Sequence, residues 1–190
     1  TGHSTLGQAG FVSITVGSGN TGDGGDVTVH AGETTAEAKT GGYVSITAGK
    51  SSHGTKGHGG MIQMYAGSGA GHSGGSVIVH TGKGIESSSG DVVIRTANSG
   101  VSGVSGSLSF SSGTTSDGNS GAVWVGTGHA TAGKGGFVSI TVGSGNTADG
   151  GDVTVHAGET TADSKTGGYV SITAGRASST TAATGGLIEM

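Results

Sequence analysis

Two stretches of this 190-residue chain place the ingredients of acid–base and nucleophilic chemistry on one side of the backbone. They are Asp26, Thr28 and His30, and then Asp152, Thr154 and His156. Alternate positions of an extended segment share a face, so each trio points the same way. A nucleophile also needs a base held in a water-poor pocket beside an oxyanion site. A flat exposed face supplies neither, so the trios read as surface decoration and the chain as non-catalytic. Eight histidines (His3, His30, His53, His58, His72, His80, His129 and His156) raise the question of metal. The spacings H-x-H and H-x-x-x-H, which set two imidazoles around one ion, do not occur; only His53 and His58 lie close, in a Gly/Lys stretch. With no cysteine there is no thiolate ligand, nucleophile or disulfide. Neither a metal nor a cofactor is expected.

Other small-residue patterns are equally weak as chemistry. The run Gly22-Asp23-Gly24-Gly25-Asp26 has the composition of a calcium loop, but calcium-binding β-rolls repeat their aspartate every nine residues and this chain does not. Strings such as Gly17-Ser18-Gly19 and Gly143-Ser144-Gly145 lack the following helix and Lys-Ser/Thr element of a phosphate loop. Serine and threonine at alternate positions raise ice binding. The pairs Ser13/Thr15, Thr28/His30, Ser45/Thr47, Gln63/Tyr65, Ile78/His80, Val93/Arg95, Ser109/Ser111 and Trp124/Gly126 contain no Thr-x-Thr, and bulky or charged members interrupt the array.

Composition narrows the classes further. Glycine contributes 45 residues and Ser plus Thr 53, together about half the chain; apolar residues make up 31%, aromatics 4% and charged residues 11%. So few large side chains cannot build a thick globular core. Recurrent Val and Ile and the absence of proline also set the chain apart from disordered sequences. A net charge of −4 argues against nucleic acid as a partner. No apolar run is long enough to span a membrane. The first residue is Thr1 and the last, Met190, falls inside a repeated motif, which suggests a window of a longer repetitive protein.

The elements that would carry these residues follow from one motif. Glycine, variable, Val/Ile/Leu, variable, Val/Ile/Met/Phe, variable, small recurs at Gly10, Gly25, Gly42, Gly60, Gly75, Gly90, Gly106, Gly121, Gly136, Gly151, Gly168 and Gly186. Successive spacings are 15 to 18 residues. Residues 127–190 repeat 1–64 at an offset of 126, with 48 of 64 positions identical. The domain expectation is therefore an eight-motif super-repeat, 1–126, followed by the first half of a second copy, 127–190.

Period-two alternation of β-branched and polar residues predicts strands. One apolar column runs Val12, Val27, Val44, Ile62 and onward; a second runs Ile14, Val29, Ile46, Met64 and onward; a third place is small, as in Ala31, Ala48 and Ala66. Seven residues of strand and eight to eleven of return path predict an all-β fold: a thin, flattened β-solenoid of about twelve coils of 15–18 residues, without a globular core. Coils would stack at ~4.8 Å with the apolar columns as ladders. The motif glycines would form tight corners using positive φ. An antiparallel meander is the competing architecture, disfavoured by connectors longer than usual hairpin loops. On the outward side no two carboxylates neighbour each other at the first place, as a stacked register would require.

That outward side also carries apolar residues. Tyr65, Ile78, Val93 and Trp124 form one candidate lateral-contact stripe, and Phe11, Tyr43, Phe137 and Tyr169 a second. Exposed apolar clusters on a regular scaffold mark contact surfaces.

The strings Gly-Gly-Asp-Val-Thr-Val-His-Ala-Gly (24–32), Ser-Gly-Ser-Leu-Ser-Phe-Ser-Ser-Gly-Thr-Thr-Ser (105–116) and Val-Gly-Ser-Gly-Asn-Thr (16–21) resemble the long Gly/Ser/Thr-rich tandem-repeat proteins of diatoms and related algae. In style the chain is also similar to filamentous-haemagglutinin-type adhesin stalks. The resemblance spans the whole chain but is compositional, and it carries over no site residues. It implies an extracellular or cell-surface structural role, as a filament segment or adhesin stalk. The partners would be copies of itself and surface polysaccharide. Ice or carbohydrate binding through the Ser/Thr-rich face is the alternative. No Asn-x-Ser/Thr acceptor occurs, which leaves O-linked decoration.

Overall fold

In the seven residues that open each motif, bulky side chains alternate with polar or small ones, which favours an extended backbone. The computed structural model describes residues 7–54, 56–178 and 181–189, and it shows what becomes of these segments. We call each seven-residue segment an arm (10–16, 25–31, 42–48 and so on). What joins consecutive arms is a connector. Pairs of side chains two apart meet on one side of the arms: Ser13 Oγ and Thr15 Oγ1 at 3.3 Å, Ser139 Oγ and Thr141 Oγ1 at 3.3 Å, and Gln63 Nε2 donating to Tyr65 Oη at 2.9 Å. Side-chain contact at i, i+2 is the signature of extended chain.

Extended arms do not make a sheet. Among the described residues there is no β-strand and no helix, and this overturns the expected all-β solenoid of stacked coils. The reason lies in where the backbone hydrogen bonds go. A solenoid needs continuous ladders from each coil to the next. Here the bonds are isolated, each closing a connector at its base. Gly42 N–H donates to Gly32 C=O (2.8 Å), Gly60 to Gly49 (2.8 Å), Gly75 to Gly67 (2.9 Å), Gly90 to Gly82 (3.1 Å), Gly168 to Gly158 (2.9 Å) and Gly186 to Gly175 (2.7 Å). Folded domains make about one internal hydrogen bond per residue, far above this. Glycine loses more freedom on ordering than any other residue, and Val-sized arms recover little by burial.

Each connector is thus a closed loop with a neck. The neck joins the motif glycine to the end of the preceding arm, where the third-place small residue sits. A Cβ built on Gly42 would lie 3.1 Å from Gly32 N and 3.3 Å from Ala31 Cβ; on Gly168, 3.1 Å from Gly158 N and 3.4 Å from Ala157 Cβ. Thr96 faces Gly106, Ser112 faces Gly121 and Thr127 faces Gly136 in the same way, and Thr127 Oγ1 donates to Gly136 C=O at 3.2 Å. Close approach, rather than backbone conformation, is what the motif glycines supply.

Positive φ occurs instead out in the connectors, at Ala38 (56°), Ser164 (57°), Ala182 (49°), Gly103 (139°) and Gly118 (100°). This corrects the expectation that motif glycines turn corners. Bends sit near the middle of the connectors, at 20–22, 36–38, 70–72, 85–87, 101–103, 116–118, 131–133, 146–148 and 162–164. Three of them are held by a hydroxyl: Ala36 N–H donates to Thr34 Oγ1 (3.2 Å) and Ala162 N–H to Thr160 Oγ1 (3.3 Å), the ST-turn arrangement, and Thr115 Oγ1 donates to Asp117 C=O (2.9 Å).

No described residue is buried, and the expected ladders of Val and Ile lie open to solvent. Exposure follows the alternation only in part: first-column Val44 is 53% exposed against 87% for its neighbour Tyr43, but second-column Ile14 and Val125, at 76% and 80%, are as open as the outward residues. The chain divides into two units, Thr1–Ile94 and Arg95–Met190; the repeat boundary at 126/127 falls within the second.

Candidate interaction surface

The outward positions of the arms are open to solvent, and no described residue on either side is buried. All eight expected contact residues are exposed: Phe11, Tyr43, Tyr65, Ile78, Val93, Trp124, Phe137 and Tyr169, with Ile78 the least at 72% and Trp124 the most at 91%. Tyr65 is further held by the Gln63 amide. The structure adds Met61 and Leu187, which occupy the first outward place of their arms and are as exposed as the rest. They could have been found by following that place through both copies, since 61 and 187 differ by the repeat offset of 126. Ile85, Val101 and Val104 are also bare, but in connectors, where no periodicity marks them.

The residues with possible chemistry are presented separately. Asp26 and His30 are exposed, as are Asp152 and His156, and nothing encloses either trio. No group of three or more His, Cys, Asp or Glu converges on a point among the described residues; His3 lies outside them. A shallow concavity is lined by Arg95, Thr96, Ala97 and Asn98. Four consecutive residues cannot bring polar groups in from several sides, as a ligand pocket does. No described helix is long and apolar enough to cross a membrane.

What the surface offers is therefore repetition. Arms carry Val or Ile on one side and a mixture of Ser, Thr, aromatic and charged residues on the other. Comparison of the chain with protein-family models, curated proteins and solved structures finds no significant match.

Proposed function

We propose that this chain is a non-catalytic structural segment of an extracellular or cell-surface repetitive filament or adhesin stalk. It works by presenting many copies of one contact surface, and its partners are copies of itself and surface polysaccharide. The observation that carries this reading is that the arm–neck–connector unit returns in place after 126 residues. The 32/42 neck recurs as 158/168 and the 49/60 neck as 175/186, and the exposed aromatics Phe11 and Tyr43 recur as Phe137 and Tyr169. A single binding site needs no such periodicity; a surface read by a periodic neighbour does.

Electron microscopy of the purified chain tests the reading. Fibres or lateral bundles are expected, and the double variant Trp124→Ser, Ile78→Ser should thin the bundles because both side chains stand clear of the rest of the chain. Chains that stay single and unassembled at every concentration would overturn it. A second reading, ice or carbohydrate binding, draws on the paired hydroxyls Ser13/Thr15 and Ser139/Thr141. Thermal hysteresis from unassembled chains would favour that reading instead.

A further inference from the structure

We propose that Asp23, Asp117 and Asp149 are sites of spontaneous backbone modification, each converting to an isoaspartyl residue through attack by the amide nitrogen of the glycine that follows it. They form the Asp-Gly pairs of the chain: Asp23-Gly24, Asp117-Gly118 and Asp149-Gly150. The proposal stands apart from the structural role above, because each site needs only two adjacent residues and water.

The reaction begins when the glycine nitrogen bonds to the aspartate Cγ. The protonated carboxyl gives up its hydroxyl, which leaves as water with the amide proton, and a succinimide ring closes. Water then opens the ring at either of its carbonyl carbons. Opening at the side-chain carbonyl restores aspartate. Opening at the main-chain carbonyl leaves the chain running through Cβ, with a free α-carboxylate on a branch. One water leaves and one enters, so neither mass nor oxidation state changes.

The attacking nitrogen must be reachable and its peptide free to turn. All six residues are exposed, and the amides of Gly24, Gly118 and Gly150 make no hydrogen bond to a described residue. A Cβ built on any of these glycines would meet nothing within 4 Å, so nothing packs against the attacking group. Glycine itself adds no side chain beside the nitrogen and allows the widest choice of φ. Asp26, Asp91 and Asp152 are exposed as well. Each precedes a valine (Val27, Val92 and Val153), whose branched Cβ crowds the nitrogen and restricts its approach. Exposure is therefore common to both sets, and the following residue separates them.

Asp117 differs from the other two in one contact. Its C=O accepts a hydrogen bond from Thr115 Oγ1 at 2.9 Å. Attack requires rotation about the aspartate Cα–C bond, which that contact resists, so Asp117 should react slowest of the three. Asp23 and Asp149 stand 126 residues apart as repeat equivalents and should react alike.

The test is to incubate the full 190-residue chain in warm, neutral heavy-oxygen water, then read each aspartate by peptide mass spectrometry with electron-transfer fragmentation. Every ring opening leaves a heavy oxygen behind. Label and isoaspartyl fragments are expected at Asp23, Asp117 and Asp149, and a purified isoaspartyl carboxyl methyltransferase should methylate the same three from S-adenosylmethionine. Gly24→Val should lower labelling at Asp23 by about tenfold or more and leave Asp149 unchanged. The open space at Gly24 admits the new side chain. Thr115→Val should raise labelling at Asp117 toward that at Asp23. Label absent from the Asp-Gly pairs, or equal at Asp26, Asp91 and Asp152, would overturn the proposal. An unchanged rate at Asp117 in Thr115→Val would overturn the restraint assigned to Thr115.

Discussion

At Gly42 a single methyl group would strain the closure of a connector. Its Cβ would lie 3.1 Å from the amide nitrogen of Gly32, so the neck would have to widen by a few tenths of an ångström to admit it. Gly42→Ala should therefore weaken the neck, by up to about 1 kcal/mol, the worth of one hydrogen bond, and amide exchange at residue 42 should speed several-fold. Gly25 looks worse on distance alone, because its Cβ would fall 2.6 Å from Val16 Cγ1. That atom ends a half-exposed side chain, which can turn to another rotamer for about 1 kcal/mol or less. Gly25→Ala should be tolerated, and Val16→Ala alongside it should remove the remaining cost, since Ala, Ser and Thr fill this place in most arms. Ala38 presents the converse case. Its φ of 56° is one that a non-glycine L-residue adopts at a cost of roughly 1–2 kcal/mol. Ala38→Asn should deepen the 36–38 turn, measured by slower exchange of the Ala36 amide, whereas Ala38→Val should destroy it. The importance of the motif glycines was legible in the sequence, but its cause was not. A glycine needed for clearance and one needed for positive φ are the same letter.

Arms and connectors obey different rules. From motif glycine to neck residue the count is always seven, as in Gly25 to Gly32 or Gly168 to Gly175, while the connector spans eight to eleven positions. Connectors of ten and eleven close through the same kind of bond as those of eight. Lengthening a loop costs little, about 0.6 kcal/mol per doubling. Two extra glycines between Gly113 and Gly121 should therefore leave assembly unchanged. One extra residue between Val123 and Val125 should instead turn the rest of that arm over, exchanging its two sides, and reduce the bundling seen by electron microscopy. Alternation along the arms could be read from the sequence, and the side-chain contacts within Ser13/Thr15 and Gln63/Tyr65 agree with it. Alternation states which side is apolar, however, and not what lies across from it. The step from Val12 and Val27 to a ladder within one chain was an inference from spacing. The structure places the available backbone bonds at the necks instead.

Across the whole molecule the balance is between ordering cost and buried area. With 45 glycines and a largely Val-sized apolar complement, one chain gains too little from covering itself, and its apolar residues stay exposed. Composition already excluded a thick core. The absence of a sheet could not be read from it, because an extended Val/Ile segment has the same sequence whether its hydrogen-bonding neighbour is the next arm, another copy or water. Exposure of Trp124, Ile78 and Tyr65 does not set them apart as contact residues, because the apolar columns of the same arms are open to solvent as well.

The necks also give the chain a mechanical character. Each closure is one hydrogen bond drawing together residues eight to eleven positions apart, and none of the described residues is buried behind it. Under tension such a bond yields alone, without unfolding its neighbours, and frees a slack of about 25–35 Å of extended backbone. A thread built this way lengthens in small steps at low force and draws back when released, since only the short-range closure has to reform. In the stalk proposed above, slack stored in many weak loops would absorb a pull before the anchorage had to bear it.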